Sequence, residues 1–312
     1  MIINIAFISL SLLLLFVGAE GLVRGSASLA LRAGLSSLMI GLTIVAFGTS
    51  SPELVVSIKA ALSHQGDISV GNVVGSNSFN IGVILGITAL VCPTPVHTQV
   101  IKIDAPIALG VAILLPFLFL DQTLGLIEGL ILIAGIVAYT WMSVVLGRRE
   151  GAGDPIDAST PSVSRHWFID VLFIGAGLGI LILGSNLLVD HSVALAKALG
   201  VSEAVIGLTI VAAGTSMPEL ATSVVAAFRK QPDIAVGNII GSNVFNILAI
   251  LGIASTLSPL YAPGITIVDF SVMIAFTVLL IPMLYTGRFL HRLEGVTLLA
   301  LYGGYLFFLW PK

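Results

Sequence analysis

One segment of the chain occurs twice. Residues 41–93 and 207–259 align at a constant offset of 166 positions without a gap, and 32 of the 53 aligned residues are identical. Chance similarity between two apolar helices would produce shared Leu and Val, but not the shared polar runs GTSxPE and GNxxGSNxFN. The chain is therefore predicted to consist of two related halves.

The composition places both halves in a membrane. Hydrophobic residues make up 57% of the chain, charged residues make up 9%, and the mean hydropathy is +1.11. About 25% of the residues of a typical soluble domain are charged, so this chain has too little polar surface for a cytosolic enzyme or a secreted scaffold. The balance of 13 Lys and Arg against 16 Asp and Glu argues against a nucleic-acid partner. The single cysteine, Cys92, excludes an internal disulfide.

Ten apolar segments are long enough to cross a bilayer, which takes about 20 residues as a helix. The segments are continuous rather than alternating, which favours helices over a membrane barrel. The first segment lacks the basic residues and cleavage site of a signal peptide, so it is interpreted as a spanning helix. The predicted helices cover residues 2–19, 36–62, 68–92, 102–120, 124–146, 167–189, 201–228, 233–257, 265–286 and 292–310.

A polar linker rich in Gly, Pro and Ser separates the two halves. The predicted organisation is a five-helix repeat over 1–146, a linker over 147–166, and a second five-helix repeat over 167–312. Because five is an odd number, the second repeat must enter the membrane from the opposite side. The predicted fold class is thus an all-α integral membrane protein with ten transmembrane helices in two inverted repeats. Many secondary transporters have this architecture, with the substrate site near the midplane.

The distribution of basic residues predicts the orientation. When loops are assigned to alternate sides, ten of the 13 basic residues fall on one side and only Lys59, Lys197 and Lys312 on the other. The side rich in Lys and Arg is normally cytoplasmic. We therefore expect the linker in the cytoplasm, both termini outside it, and the protein in the plasma (inner) membrane of a prokaryotic cell.

Glu53 and Glu219, at equivalent positions in the two repeats, are the candidate functional residues with the clearest signal. Each lies well inside an apolar segment, where an acidic side chain costs about 2.5–3.5 kcal/mol on insertion scales. Such a group should face the protein interior and have a partner. No Lys or Arg lies at a comparable depth in the predicted helices, so a cation from outside the chain is the expected partner.

A proline precedes each of these glutamates and predicts a broken helix. Pro52 and Pro218 each remove a backbone donor and disfavour helical angles at the residue before them. Thr49 and Thr215 stand four residues before the glutamates and would share a helix face with them. A kink here would free main-chain carbonyl groups for a cation; the candidates are Ala46, Thr49, Ala212 and Thr215.

The second motif adds side-chain oxygens. Ser76 and Asn80 are four residues apart, as are Ser242 and Asn246, so each pair presents two oxygens on one helix face. These residues could also serve only as hydrogen-bonding contacts between helices. We assign their neighbours Asn77 and Asn243 to interhelical hydrogen bonds.

The ligand chemistry indicates the type of ion. The candidate site offers carboxylate, hydroxyl, amide and carbonyl oxygens but no His or Cys, which suits Ca²⁺, Na⁺ or Mg²⁺ rather than Zn²⁺ or Cu. Two glutamates neutralise one Ca²⁺ or two Na⁺, and competition of the two ions for the same acids is sufficient for antiport. No phosphate loop or nucleophile–base arrangement is found.

The other acidic residues are expected at helix ends. Asp67 and Asp233 precede predicted helices and are interpreted as N-caps. Four more acids are expected to lie near the membrane surfaces in contact with solvent; they are Asp104, Glu128, Asp190 and Asp269.

At the doubled GTSxPE and GNxxGSNxFN motifs the chain resembles the sodium/calcium exchanger family of the cation/calcium exchanger superfamily, and most closely its compact prokaryotic members. The resemblance covers nearly the whole chain. It implies that Glu53 and Glu219, with the carbonyl groups of Thr49 and Thr215, bind Ca²⁺. The Na⁺ ligands that it implies are Ser50, Ser76, Ser216, Ser242 and the main chain at Ala46 and Ala212. It also places Asn80 and Asn246 in the core and makes helices 2–19 and 167–189 sliding gates.

The resemblance carries further expectations. Some members have an aspartate where this chain has Asn80 or Asn246, so the number of Na⁺ per Ca²⁺ is open here and K⁺ co-transport is disfavoured. No separate Ca²⁺-sensing domain is expected, since the linker has only about 20 residues. No cofactor is predicted, and Ca²⁺ and Na⁺ are the expected transported ions. The protein is expected to lie in the lipid bilayer as a monomer that needs no protein partner. An H⁺-driven cation antiporter is the alternative, followed by an ion channel and a membrane enzyme.

Overall fold

A computed structural model of the protein describes residues 2–33, 35–150, 166–198 and 212–309, and this part of the chain is almost entirely helical. The helices of the first half are α1 (Ile2–Ala33), α2 (Ser37–Thr49), α3 (Ser51–Leu62), α4 (Gly66–Val91), α5 (Val100–Leu118) and α6 (Leu126–Glu150). Those of the second half are α7 (Trp167–Ala198), α8 (Ala212–Thr215), α9 (Met217–Phe228), α10 (Pro232–Leu257), α11 (Ile267–Tyr285) and α12 (Arg292–Leu309).

Seven of these helices are long and apolar enough to span a membrane, and the bent pair α2 and α3 makes eight within the described ranges. The sequence predicts ten. Of the other two, α12 covers residues 292–309 of the predicted segment 292–310, whereas residues 201–211 of segment 201–228 lie outside the described residues. Most of the linker, residues 151–165, lies outside them as well. The integral membrane, all-α class is therefore borne out.

Two helices are longer than their apolar segments predict. Helix α1 continues past residue 19 to Ala33, and α7 continues past residue 189 to Ala198. In α1 the added turns carry Glu20 and Arg24, which form an ion pair one helical turn apart. The apolar residues mark only the part of a helix that lipid covers, whereas the helix itself continues to its capping or breaking residues. The predicted C-terminal ends of α1 and α7 are therefore too short.

Four short strands join loops that are far apart in the sequence. Strand β1 (Thr94–Pro95) pairs antiparallel with β4 (Phe289–Leu290), and β2 (Thr123–Leu124) pairs antiparallel with β3 (Leu260–Tyr261). Each pair contains one loop from each half of the chain. The strands therefore connect the two halves at their loops, in addition to the packing of their helices.

Helices α4 and α10 form the centre of the molecule. All of the apolar stretch of α10 and 72% of that of α4 are buried inside the protein. Each contains a π-helical turn at the same repeat position, Asn80–Leu85 and Asn246–Leu251. Such turns interrupt the regular hydrogen-bond pattern and are frequent at functional sites.

Helices α1 and α7 pack against each other at the periphery, where only 28% of each apolar stretch is buried. Glycines bring the two main chains together, since a Cβ on Gly18 would lie 2.8 Å from the carbonyl oxygen of Gly177. Arg32 Nε of α1 donates to the buried Asp170 Oδ2 of α7 over 3.1 Å. The helix pair is therefore held together by its own contacts.

Candidate functional site

Both repeats break their helix directly before the glutamate. Helices α2 and α3 meet at Ser50 with a bend of 47°. In the second repeat Ser216 separates α8 from α9, and its backbone angles (φ −88°, ψ 9°) match those of Ser50 (φ −80°, ψ 8°). The prolines occupy the first turn of α3 and α9, where a missing N–H has no helical partner. The predicted break is thus confirmed, with a serine at the break itself.

The two glutamates are fully buried, and each is bound by the serine of the opposite repeat. Ser50 Oγ donates to Glu219 Oε1 over 2.8 Å, and Ser216 Oγ donates to Glu53 Oε1 over the same distance. The break of one repeat therefore positions the acid of the other. The sequence predicts these four residues in one site, but it does not predict that they pair across the repeats.

Five buried oxygen atoms of the predicted site residues have no hydrogen-bond partner among the described residues. Buried polar atoms are nearly always hydrogen-bonded, so such a group requires a specific explanation. None of the buried side chains in the described part of the chain is Lys or Arg. The five atoms are Glu53 Oε2, Glu219 Oε2, Ser242 Oγ, Asn80 Oδ1 and Asn246 Oδ1. A hard cation such as Ca²⁺ or Na⁺ binds oxygen ligands, and this set consists of oxygens only and includes two carboxylates.

The remaining predicted ligands lie around this set. Ser76 Oγ is 3.3 Å from Ser216 Oγ, so Ser76 contacts the break of the second repeat. Thr49 and Ala46 are fully buried beside the first break, and Thr215 is 8% exposed at the second. Ala212 begins α8 at the position equivalent to Ala46.

The hydroxyl of Thr49 does not face Glu53, although the spacing of four residues predicts a shared face. It contacts Asn238 Oδ1 at 2.9 Å and lies within 3.3 Å of the carbonyl oxygens of Val45 and Ala46. The bend at Ser50 changes the direction of the helix between the two positions, so the spacing rule for a continuous helix fails here.

Sequence reasoning missed a pair of asparagines behind the acids. Asn72 Nδ2 donates to the main-chain oxygen of Glu53 (3.2 Å) and to Ser57 Oγ (3.0 Å). Asn238 makes the equivalent contacts to the main-chain oxygen of Glu219 (3.3 Å) and to Ser223 Oγ (3.0 Å). These amides fix the main chain at both acids. The sequence feature that marks them is that both repeats have Asn at the second position of the GNxxGSN motif, 166 residues apart.

The predicted interhelical role of Asn77 and Asn243 is confirmed. Asn77 Nδ2 donates to the main-chain oxygen of Asn243 over 3.0 Å, and Asn243 Nδ2 donates back to that of Asn77 over 3.4 Å. These bonds join α4 to α10 next to the candidate site.

Three acids are not where the sequence places them. Asp104 is fully buried rather than solvated, and Tyr139 OH (3.2 Å) and Gln99 Nε2 (3.1 Å) donate hydrogen bonds that replace solvent at its carboxylate. Asp67 and Asp233 are not N-caps, since α4 and α10 begin one residue earlier and the capping positions are glutamines. Asp67 instead accepts from the main-chain N–H of Gly264 over 2.8 Å.

A helical membrane fold around a buried all-oxygen site defines the class as an integral membrane ion transporter, and comparison with known proteins agrees. The profile of the family described as "Sodium/calcium exchanger protein" matches residues 3–145 and 169–310. The chain belongs to this sodium/calcium exchanger family and is a transporter rather than an enzyme.

Individual relatives cover all or nearly all of the chain. CaxA of Alkalimonas amylolytica is 38% identical over 100% of both chains. The sodium/calcium exchanger MaX1 of Methanosarcina acetivorans is 31% identical over 97% of each. A solved structure of the sodium-calcium exchanger NCX_Mj, soaked with zero Na⁺ and Ca²⁺, superimposes with a TM-score of 0.84 at 32% identity and covers 99% of both chains.

Proposed function

We propose that the protein exchanges Na⁺ for Ca²⁺ by alternating access at a site near the membrane midplane. One observation carries the proposal: Glu53 and Glu219 are fully buried, and each has one carboxylate oxygen bound by a serine and the other unbonded among the described residues. Leaving two such charges uncompensated in a protein interior is costly. A cation that binds the free oxygens removes that cost.

The charge count limits which ions bind together. Two carboxylates neutralise one Ca²⁺ or two Na⁺, so the two ion sets compete for the same oxygens. In the proposed assignment, Glu53 and Glu219 bind Ca²⁺ with the carbonyl oxygens of Thr49 and Thr215. The proposed Na⁺ ligands are Ser50, Ser76, Ser216, Ser242 and the main chain at Ala46 and Ala212. Asn80 and Asn246 are proposed to contribute neutral oxygens to the same site.

The proposed architecture is ten spans in two inverted repeats, 1–146 and 167–312, joined by the linker 147–166. The strand pairs support it, because strict alternation places β1 and β4 on one side of the membrane and β2 and β3 on the other. The mirrored contacts of the two glutamates support a pseudo-twofold relation. Transporters with such repeats open a fixed site alternately to the two sides.

Helices α1 and α7 are the proposed sliding gates. They lie outside the central helices, and glycines let their main chains approach each other closely. Helix α7 also contacts both breaks, through Leu178 against Gly48 and through Ser185 Oγ, which donates to the carbonyl oxygen of Gly214 over 2.5 Å. A shift of α7 would therefore change contacts on both sides of the site.

We further propose a prokaryotic plasma (inner) membrane location with both termini outside the cytoplasm, and a monomeric transporter that needs no cofactor or protein partner. The excess of basic residues on the linker side supports this orientation. A monomer suffices because a single chain supplies both glutamates and both serines of the site.

The test is uptake of radioactive Ca²⁺ into proteoliposomes preloaded with Na⁺, compared with vesicles preloaded with K⁺ or choline. A pH gradient is imposed in a separate set, and vesicles without protein are the control. We expect uptake that requires internal Na⁺. Its dependence on membrane potential reports whether more than two Na⁺ move per Ca²⁺.

Two results would change the assignment. Uptake driven by the pH gradient alone would make the protein an H⁺-coupled cation antiporter, in which the two acids exchange protons for the ion. Ca²⁺ flux that needs no counter-ion would instead indicate a channel.

A further inference from the structure

Four asparagines form a closed hydrogen-bond network where α4 and α10 cross. They are Asn77, Asn80, Asn243 and Asn246, and none is more than 5% exposed. Besides the reciprocal bonds to main-chain oxygens described above, Asn80 Nδ2 donates to Asn243 Oδ1 and Asn246 Nδ2 donates to Asn77 Oδ1, both over 2.9 Å. Every side-chain bond in the network crosses from one repeat to the other.

The main chain determines the orientation of every amide in this network. A carbonyl oxygen only accepts hydrogen bonds, so Asn77 must turn its NH₂ group toward the main-chain oxygen of Asn243. Its Oδ1 then faces Asn246, which must present its own NH₂ group. The amide oxygen of Asn246 is consequently left to point away from the network. The same sequence of steps, starting from Asn243, orients Asn80.

The two oxygens left over by this chain of bonds are the unbonded Asn80 Oδ1 and Asn246 Oδ1. We propose that Asn77 and Asn243 are positioning residues that hold Asn80 and Asn246 with their oxygens, not their NH₂ groups, toward the transported cation. The proposal rests on the proposed function for the location of that cation. It assigns Asn77 and Asn243 a role beyond joining the two helices.

The physical reason is the sign of the amide dipole. A flipped Asn80 or Asn246 would direct two N–H donors at the cation and replace an attractive partial charge by a repulsive one. An unanchored amide would populate both orientations. The network removes the unfavourable one before any ion arrives, which is preorganisation of the neutral part of the site.

The test uses double-mutant cycles on purified protein in proteoliposomes. Asn77→Leu, which keeps the branched shape of the side chain but removes its polar atoms, is combined with Asn246→Ala, its direct partner. The matched control combines Asn77→Leu with Asn80→Ala, since no side-chain hydrogen bond joins residues 77 and 80. Asn77→Ala is made in parallel in case the larger side chain prevents folding, and Asn243 with Asn80 provides an independent second cycle.

We expect Asn77→Leu to raise the half-saturating Ca²⁺ concentration about tenfold, the effect of losing one well-oriented contact, while the maximal rate changes little. Adding Asn246→Ala should raise it no further, whereas adding Asn80→Ala should act independently. The Ca²⁺-dependent rise in unfolding temperature should shrink in parallel.

An unchanged half-saturating concentration in both Asn77 variants, or equal coupling in the test and control cycles, would overturn the proposal. A loss of stability and maximal rate without a change in the Ca²⁺ dependence would show a purely structural role and overturn it too. Failure of the proposed function is recognised separately, because the unmodified protein would then show neither Na⁺-driven uptake nor stabilisation by Ca²⁺.

Discussion

The two half-sites are built from the same residues but do not make the same contacts. Ser50 binds Glu219 just as Ser216 binds Glu53. Ser216 also contacts Ser76, however, whereas Ser242, the equivalent of Ser76, has no partner for its hydroxyl among the described residues. If inverted repeats exchange conformations during transport, any single conformation must be asymmetric. The shared contacts then belong to the site throughout the cycle, and the unshared ones belong to one state of it.

Removing one acid at a time tests whether the two half-sites contribute equally to transport. Glu53→Gln and Glu219→Gln should each lower Na⁺-driven Ca²⁺ uptake by at least about 100-fold, because one of the two charges that balance Ca²⁺ is lost in a medium of low dielectric. The two losses should be equal within a few-fold if both acids serve every turnover. Uptake into Na⁺-loaded vesicles measures this.

Glu128→Gln is the matched control, because among the described residues Glu128 Oε2 accepts only from the nearby main-chain N–H of Gly125. It should transport at close to the normal rate. Normal uptake by either site variant would contradict the assignment of the acids. A large difference between the two would show that a single glutamate carries the ion.

The sequence predicts the composition of the site better than its connections. The doubled motifs contain both acids and the serines at both breaks, and the prolines predict the broken helices. The pairing of Ser50 with Glu219 depends on how helices 169 residues apart pack, which no spacing rule within one helix encodes. Asp104 is a similar case, since its burial depends on Tyr139 from another helix.

The fold shows the same division. Continuous apolar runs predict spanning helices because the bilayer leaves no alternative for the main chain. They do not predict where α1 and α7 end, because these helices continue past their apolar stretches. Identity between the repeats marks Asn72 and Asn238 at the 166-residue offset, yet only the structure shows that both bind the main chain of a glutamate.

The serines at the breaks provide a smaller test of the contacts that both half-sites share. Ser50→Ala and Ser216→Ala each remove a hydrogen bond to a carboxylate, and bonds to charged groups contribute about 1.5–3 kcal/mol. The half-saturating Ca²⁺ concentration should rise at least about tenfold in each variant. The control is Ser51→Ala, since Ser51 Oγ donates only to the main-chain oxygen of Phe47. Unequal effects would mean that the two breaks do not exchange roles.

The hydroxyls of Ser76 and Ser242 test whether the different contacts of the two half-sites come from one conformation of the cycle or are fixed by the sequence. Ser76→Ala and Ser242→Ala each remove one neutral hydroxyl, for which about 0.5–1.5 kcal/mol and hence about a threefold change in half-saturating Na⁺ is expected. If the asymmetry belongs to one state of the cycle, the two variants should weaken Na⁺ binding from opposite faces of the membrane. Right-side-out and inside-out vesicles expose one face each and allow the two values to be measured separately.

The alternative is that Ser242 differs from Ser76 in every state, because α10 is buried throughout while α4 is partly exposed. Ser242→Ala would then weaken Na⁺ binding from both faces, and Ser76→Ala from neither. In that case the glutamates and the serines at the breaks would be equivalent in the two repeats, whereas the hydroxyls of Ser76 and Ser242 would not. It would also mean that one repeat binds Na⁺ more tightly than the other regardless of which side is open.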